Sequence, residues 1–149
     1  MVVDASVLIG LADQDRDAAR LMAARDRMTI TAVNFGEVLY KLLQRSGRPA
    51  SQSEQIFVAL GINIADVSLA DVRHYPELKQ IDAASRTAQA SAGVTAQRIK
   101  TLSLGDMTCL GYALLRRLPV LTGDRHWTTL RTHGLGLDVY DFHDPAVTP

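Results

Sequence analysis

The stretch MVVDASVLIGL, residues 1–11, decides the fold. Met1-Val2-Val3 is a short β-branched run, which favours a strand. It stops at Asp4, and Val7, Leu8 and Leu11 then recur at helical spacing. The unit is therefore a strand, an acid and a helix. The same unit returns further along. Met28–Thr31 reads as a strand, and Asn34 reads as the start of a helix with Val38, Leu39, Leu42 and Leu43 on its apolar face. Near the other end, Pro119–Thr122 reads as a strand followed by Gly123-Asp124. Ile62–Val67 and Leu137–Tyr140 supply two more strand candidates. Between them, residues 15–27 read as an amphipathic helix through Ala18, Leu21, Met22 and Arg25, and Ser51 with Glu54 has capping-box spacing for a helix to about Leu60. Residues 68–92 are helical in tendency with Pro76 near the front, and residues 93–101 form a short helix or loop. Asp106–Leu118 is a strong helix. Strands alternating with helices predict an α/β layer fold with a mainly parallel sheet. Short, largely apolar strands suit a sheet covered on both faces.

Composition narrows the class. A chain of 149 residues predicts one domain, since domains hold roughly 100–200 residues. An apolar fraction of 47% and a balance of 16 basic against 16 acidic residues exclude a disordered chain. Cys109 is the single cysteine, which excludes a disulfide scaffold and a thiolate zinc site. No apolar run approaches the roughly 18 residues of a spanning helix, and the first residues lack the basic start of a signal peptide. A cytoplasmic globular protein without a membrane partner is expected. Neutral net charge means that nucleic acid, if bound, is held by a local patch or a metal site.

Four acids fall at comparable places. Asp4 follows the first strand, Glu37 is expected in the first turn of the helix after the second, Asp106 opens a helix, and Asp124 follows the strand PVLT by one glycine. In open parallel sheets, ligands bind outside the carboxyl ends of the strands near a topological switch point. Acids far apart in sequence can meet there. Two carboxylates about 4 Å apart repel by about 4 kcal/mol at an effective dielectric of 20, so a shared site needs protons or a cation. A hard divalent ion suits oxygen donors. Three of them also have an ordinary explanation: Asp106 as a helix cap, Asp124 as a turn residue, Glu37 as a solvated side chain; Asp4 is harder to dismiss, because acids are disfavoured beside a buried strand.

The acid-bearing segments resemble PIN-domain ribonucleases, and specifically toxins of the VapC type. VVDASVLIGL is similar to the family's first acidic motif, TAVNFGEVLYKL to the second, LSLGDMTCLGYAL to the third and PVLTGDRHW to the fourth, in family order. Residues 50–100 match only in helical character, and Met107 stands where the family usually has a basic or polar residue. The resemblance implies a PIN-like three-layer α/β/α domain over residues 1–143, with 144–149 a frayed tail. It implies a metal-binding catalytic quartet of Asp4, Glu37, Asp106 and Asp124, with Ser6 and Asn34 orienting metal or substrate. It further implies Mg²⁺ or Mn²⁺, RNA cleavage, a homodimer and a cognate antitoxin whose tail occupies the acidic groove.

Several readings follow from the residues themselves. A bound metal lowers the pKa of water toward neutrality and stabilises charge on phosphate. Lys41, Arg45 and Arg48 lie at and beyond helical spacing from Glu37 and are candidates for RNA phosphates, as is Arg125, with Arg116 and Arg117 a further basic rim. A solvated helix face explains any one of them equally. His126 reads as a surface residue, Cys109 as a small buried one, and Trp127 as packing the Asp124 loop onto the domain. Two other functions remain open: a non-catalytic binding module of the same fold, and a phosphohydrolase with Asp4 as nucleophile. The latter usually needs a second Asp two residues on, where this chain has Ser6.

Overall fold

The computed structural model describes residues 1–23 and 27–146. Arg25 and the last residues of the expected tail, 147–149, lie outside these. Five parallel strands form one sheet: β1 (Val2–Val3), β2 (Met28–Thr31), β3 (Ile62–Ala65), β4 (Val120–Thr122) and β5 (Val139–Asp141). Their order is β3-β2-β1-β4-β5. The chain winds from β1 outward to β3, then crosses back so that β4 pairs on the other side of β1. Val2 is in register with Thr29 on one side and Val120 on the other. The switch point therefore lies between β1 and β4.

Helices cover both faces: α1 (Ala5–Ala12), α2 (Arg16–Ala23), α3 (Ala32–Ser46), α4 (Ala50–Ala59), α5 (Leu69–Val72), α6 (Tyr75–Ser91), α7 (Leu104–Arg116) and α8 (Arg125–Leu130). A short 3₁₀ turn spans Ala96–Arg98. Alternation along the strands divides the core in two. Val2 and Val120 join Leu78, Leu110, Trp127 and Leu130 on the α6–α7–α8 face. Val3 and Leu121 join Val7, Leu8, Phe35 and Val38 on the α1–α4 face. Successive side chains on a strand point to opposite faces, and a sheet this apolar on both needs two helical layers. The result is the three-layer α/β/α arrangement expected from the sequence.

Element boundaries depart from the sequence reading where local hydrogen bonds compete. Helix α3 starts two residues before Asn34, because Thr31 is its N-cap: Thr31 Oγ1 accepts from Asn34 N at 3.2 Å and donates to Asn34 Oδ1 at 2.6 Å. Glu37 is therefore in the second turn, beyond close reach of the helix N-terminus. The Ser51–Glu54 capping box does not form; Pro49 precedes α4 and no side chain caps it. Ser103 caps α7, and Asp106 sits three residues in. Pro76 is accommodated in the first turn of α6, where no amide partner is lost.

Helices α5 and α7 cross closely. A Cβ at Gly111 would stand 2.5 Å from Asp71 O, so only glycine admits this approach. Asp71 is wholly buried and accepts from the Ser68 hydroxyl at 2.6 Å and from Arg116, whose guanidinium lies 3.5 Å over the Tyr112 ring. Among the described residues, no helix is long and apolar enough to cross a membrane.

Candidate active site

Three of the four acids sit at the ends of β1 and β4 or beside them, at the switch point. Asp4 is the deepest, at 7% exposure. It caps α1: its Oδ2 accepts from Ser6 N at 3.3 Å and from Ser6 Oγ at 2.7 Å. Thr122 Oγ1 donates to the same oxygen at 3.2 Å. Asn34 Nδ2 lies 3.5 Å from Oδ1 and also donates to Gly105 O at 3.3 Å. Ser6 Oγ in turn accepts from Gly123 N at 2.8 Å, so this hydroxyl links Asp4 to the turn carrying Asp124.

Asp124 caps α8, its Oδ1 accepting from His126 N at 2.9 Å. Its own amide donates to Thr122 Oγ1 at 3.0 Å. Asp106 completes a capping box: Oδ2 accepts from Ser103 N at 2.7 Å, and Asp106 N donates to Ser103 Oγ at 3.1 Å. Glu37 is exposed and reaches the same region from α3; its Oε2 is 3.7 Å from where a Cβ of Gly105 would stand, beside Asp106. Asn34 bridges the two halves, touching both Asp4 and the backbone before Asp106.

The capping and functional explanations of these acids are compatible. Asp106 and Asp124 each spend one carboxylate oxygen on a helix start; no donor reaches the other oxygen from any described residue. That is the geometry a cation needs, an anchored carboxylate with an open lone pair. Charge crowding adds to it. Burial, together with the neighbouring Asp106 charge, pushes the Asp4 carboxyl above its ordinary value despite the Ser6 hydrogen bonds. Burial first, and Asp124 after it, push Asp106 up against the lowering effect of Ser103 and His126. Raised, mutually repelling carboxyls fit a bound divalent cation, which would relieve the repulsion. The set is open rather than tight: among the described residues, the three acidic or imidazole donors found within 4.8 Å of one another are Asp15, Asp17 and His143, none of them one of these four acids. Asp15 there caps the start of α2 through Asp17 N and Ala18 N.

The basic candidates divide. Arg45 is paired with Asp13. Lys41 and Arg48 are partly exposed with no carboxylate within 4.0 Å among the described residues. Arg125 pairs with Asp141 through Nε at 3.2 Å while its side chain stays 79% exposed. Arg116 is engaged by Asp71, which takes it out of the proposed basic rim. Arg117 ends α7 in a left-handed conformation.

His126 is a correction. It is buried, not on the surface, and its Nε2 faces Asp82 Oδ1 at 3.8 Å without a hydrogen bond. Asp82 itself escaped the sequence reading. It is 1% exposed on α6, and accepts from Thr101 Oγ1 at 2.8 Å and Leu102 N at 3.0 Å. It thereby pins the segment leading into Ser103 and Asp106. A lone Asp in an alanine-rich helix carries no local signal of this. Ser103 and Thr122 were also missed; the Ser103-x-x-Asp106 spacing was the available clue for the first. Trp127 is fully buried, as expected of a residue fastening the Asp124 turn, and Cys109 is buried with its thiol pushed well up by burial.

Comparison with known proteins follows the same lines. A family model described as PIN domain matches residues 1–131. Among solved structures, a toxin–antitoxin complex from Klebsiella pneumoniae is 20% identical with a TM-score of 0.58, covering 96% of this chain and 98% of that one. The sarcin–ricin-loop-cleaving toxin VapC20 of Mycobacterium tuberculosis is 17% identical with a TM-score of 0.57, over 86% and 92%. DNA-bound VapBC from Salmonella typhimurium is 14% identical with a TM-score of 0.62, over 95% and 96%. No curated protein sequence matches.

Proposed function

The chain belongs to the PIN-domain family, and from that membership we propose that it is a divalent-metal-dependent endoribonuclease and the toxin of a toxin–antitoxin pair. The observation that carries the reading is the carboxylate arrangement at the β1–β4 switch point: Asp106 and Asp124 are each held by one oxygen and open at the other, beside a buried Asp4 whose carboxyl is raised. In this reading Asp4, Asp106, Asp124 and Glu37 hold Mg²⁺ or Mn²⁺. When bound, the ion supplies an activated water and charge stabilisation on a phosphodiester. The chain's own residues do the rest. Ser6 and Thr122 fix the Asp4 carboxylate through Oδ2. Asn34 holds the Gly105 backbone, and through it the start of α7, at a set distance from Asp4. Ser103 and Asp82 fix the approach to Asp106. Such anchoring holds ligands in place before the metal arrives.

The similar folds include toxin–antitoxin complexes, which supports a cognate antitoxin as partner. A homodimer in the cytoplasm completes the reading; Val33, Tyr40 and Leu43, all exposed on one side of α3, offer apolar surface for association. The deciding experiment incubates total cellular RNA with purified wild type and with Asp106→Asn, each in Mg²⁺, Mn²⁺ or EDTA. Discrete fragments are expected from wild type with metal alone. Fragments in EDTA, or equal cleavage by Asp106→Asn, reject the reading.

A further inference from the structure

Two clefts flank the acid cluster, and they differ in charge. The cleft on the α1 side, about 460 Å³, meets the site at Ser6 and Gly123 and is lined by Asp13 and Asp15. Arg45, which also lines it, is already neutralised by Asp13. The cleft on the opposite side, about 480 Å³, lies between the C-terminal half of α6 and the start of α8. It meets the site at Asp124 and His126, and its rim carries Lys100, His133 and Arg125, which is paired with Asp141 through Nε while its side chain stays 79% exposed. Its floor is the small apolar surface of Ala88, Ala92 and Val94.

Resting on the nuclease reading above, we propose that the α6–α8 cleft is a nucleotide subsite: it takes one nucleotide of a single-stranded RNA next to the scissile phosphate, the base against Ala88, Ala92 and Val94 and the phosphate toward Lys100 and Arg125. Charge chooses the side. A strand with a negative charge on every nucleotide is repelled by the Asp13–Asp15 cleft and drawn to the basic one. Size agrees, since sites for small ligands occupy about 300–1,000 Å³. Chemistry agrees too. Every base has an apolar face to lay on an alanine-and-valine floor, and RNA-binding proteins read single strands through unstacked bases. The backbone that carries this cation is held in place: Lys100 N donates to Gln89 Oε1 at 3.2 Å, and Gln89 Nε2 donates to Ser85 Oγ at 3.3 Å, clipping the loop after the 3₁₀ turn to α6. Among the described residues no carboxylate lies within 4.0 Å of the Lys100 side-chain nitrogen, so this cation is not already spent. The segment before α7, which the sequence comparison of motifs left without a role, thus forms one wall of the substrate path.

The test compares wild type with Lys100→Glu, with the double variant Ala88→Leu/Ala92→Leu, and with Arg86→Glu as a control. Arg86 is on the same helix but lines a separate depression with Ala90 and Thr101. Fluorescence anisotropy in EDTA measures binding of a short labelled single-stranded RNA. Steady-state cleavage gives kcat and KM, and calorimetry with Mn²⁺ reports the acid site independently. Lys100→Glu and the leucine pair are expected to weaken RNA binding and raise KM about tenfold, the scale of one lost base or phosphate contact. Their kcat, Mn²⁺ affinity and thermal midpoint stay at the wild-type level, and Arg86→Glu changes KM less than about twofold. Wild-type cleavage with all variants unchanged, or with Arg86→Glu equal to Lys100→Glu and the leucine pair silent, overturns the subsite and leaves the nuclease reading standing. Loss of binding to a copurified protein partner with RNA binding intact assigns the cleft to that partner and overturns the proposal. A wild type that neither binds nor cuts RNA overturns both.

Discussion

Asp4→Asn removes a charge and keeps a shape, so its effects on folding and on catalysis should point in opposite directions. With the new amide oxygen at the place of Oδ2, the contacts to Ser6 N, Ser6 Oγ and Thr122 Oγ1 survive. The new NH₂ then faces the Asn34 amide donor, so what is lost is one 3.5 Å hydrogen bond, about 0.5–1.5 kcal/mol. The gain is larger in kind. Burial and the Asp106 charge raise the Asp4 carboxyl above its ordinary 3.8. Over the interval from 3.8 up to the folded value the native chain binds more protons than the unfolded one, so stability falls as pH rises through that interval and stays lowered above it. At pH 7 without metal, the buried Asp4 carboxyl therefore opposes folding, and asparagine carries no such penalty. Thermal unfolding in EDTA at pH 7 should give Asp4→Asn a midpoint equal to or above wild type, with the advantage fading toward pH 3.8. Asp4→Ala, which leaves two hydroxyls without their acceptor, should lose about 2–5 kcal/mol and drop by several degrees. RNA cleavage in Mg²⁺ should fall at least about 100-fold in both. Cleavage by Asp4→Asn within tenfold of wild type refutes the assignment of the site. A metal-free midpoint for Asp4→Asn as low as that of Asp4→Ala refutes the electrostatic argument.

Asp82→Asn should remain folded but bind Mn²⁺ about tenfold more weakly by calorimetry, because the Thr101–Leu102 approach to Asp106 loses a charged anchor; wild-type affinity would show that Ser103 alone fixes Asp106. Asp71 titrates with the opposite sign to Asp4. Burial alone would raise its carboxyl, but Ser68 and Arg116 outweigh that and hold it below 3.8. Its contribution is present above 3.8 and lost as pH falls through the folded value, so Asp71→Asn should flatten the acid limb of a stability–pH curve measured by urea unfolding, and an unchanged limb would count against the pairing.

The sequence makes the architecture visible because each strand is short, apolar and followed by an acid or a cap, and because both faces of the sheet need cover. Asp4, Asp106 and Asp124 were recognisable for the same reason: in a parallel sheet the strand ends converge, whatever the separation along the chain. What escaped depends on tertiary contacts. The N-cap at Thr31 moves the start of α3 back two residues and carries Glu37 out of the first turn. The burial of His126 follows from Asp82 on a helix about forty residues earlier, and no periodicity in α8 encodes it. The engagement of Arg45 by Asp13 and of Arg116 by Asp71 takes apart two basic surfaces that helical spacing alone suggests.

Strand order has a consequence in time. Thr122 closes on Asp4 from 118 positions further along the chain, and β1 has β4 as one of its two neighbours. Pairings this remote in sequence form late, since the loop must close before they contribute. During synthesis, the first acid emerges early but has neither its threonine partner nor Asp124 until β4 follows. In the nuclease reading proposed above, a ribosome making this chain is thus not exposed to a finished acid site on its own nascent product. Any truncation before residue 120 lacks β4, and with it Thr122 and Asp124, whatever share of the helices it retains.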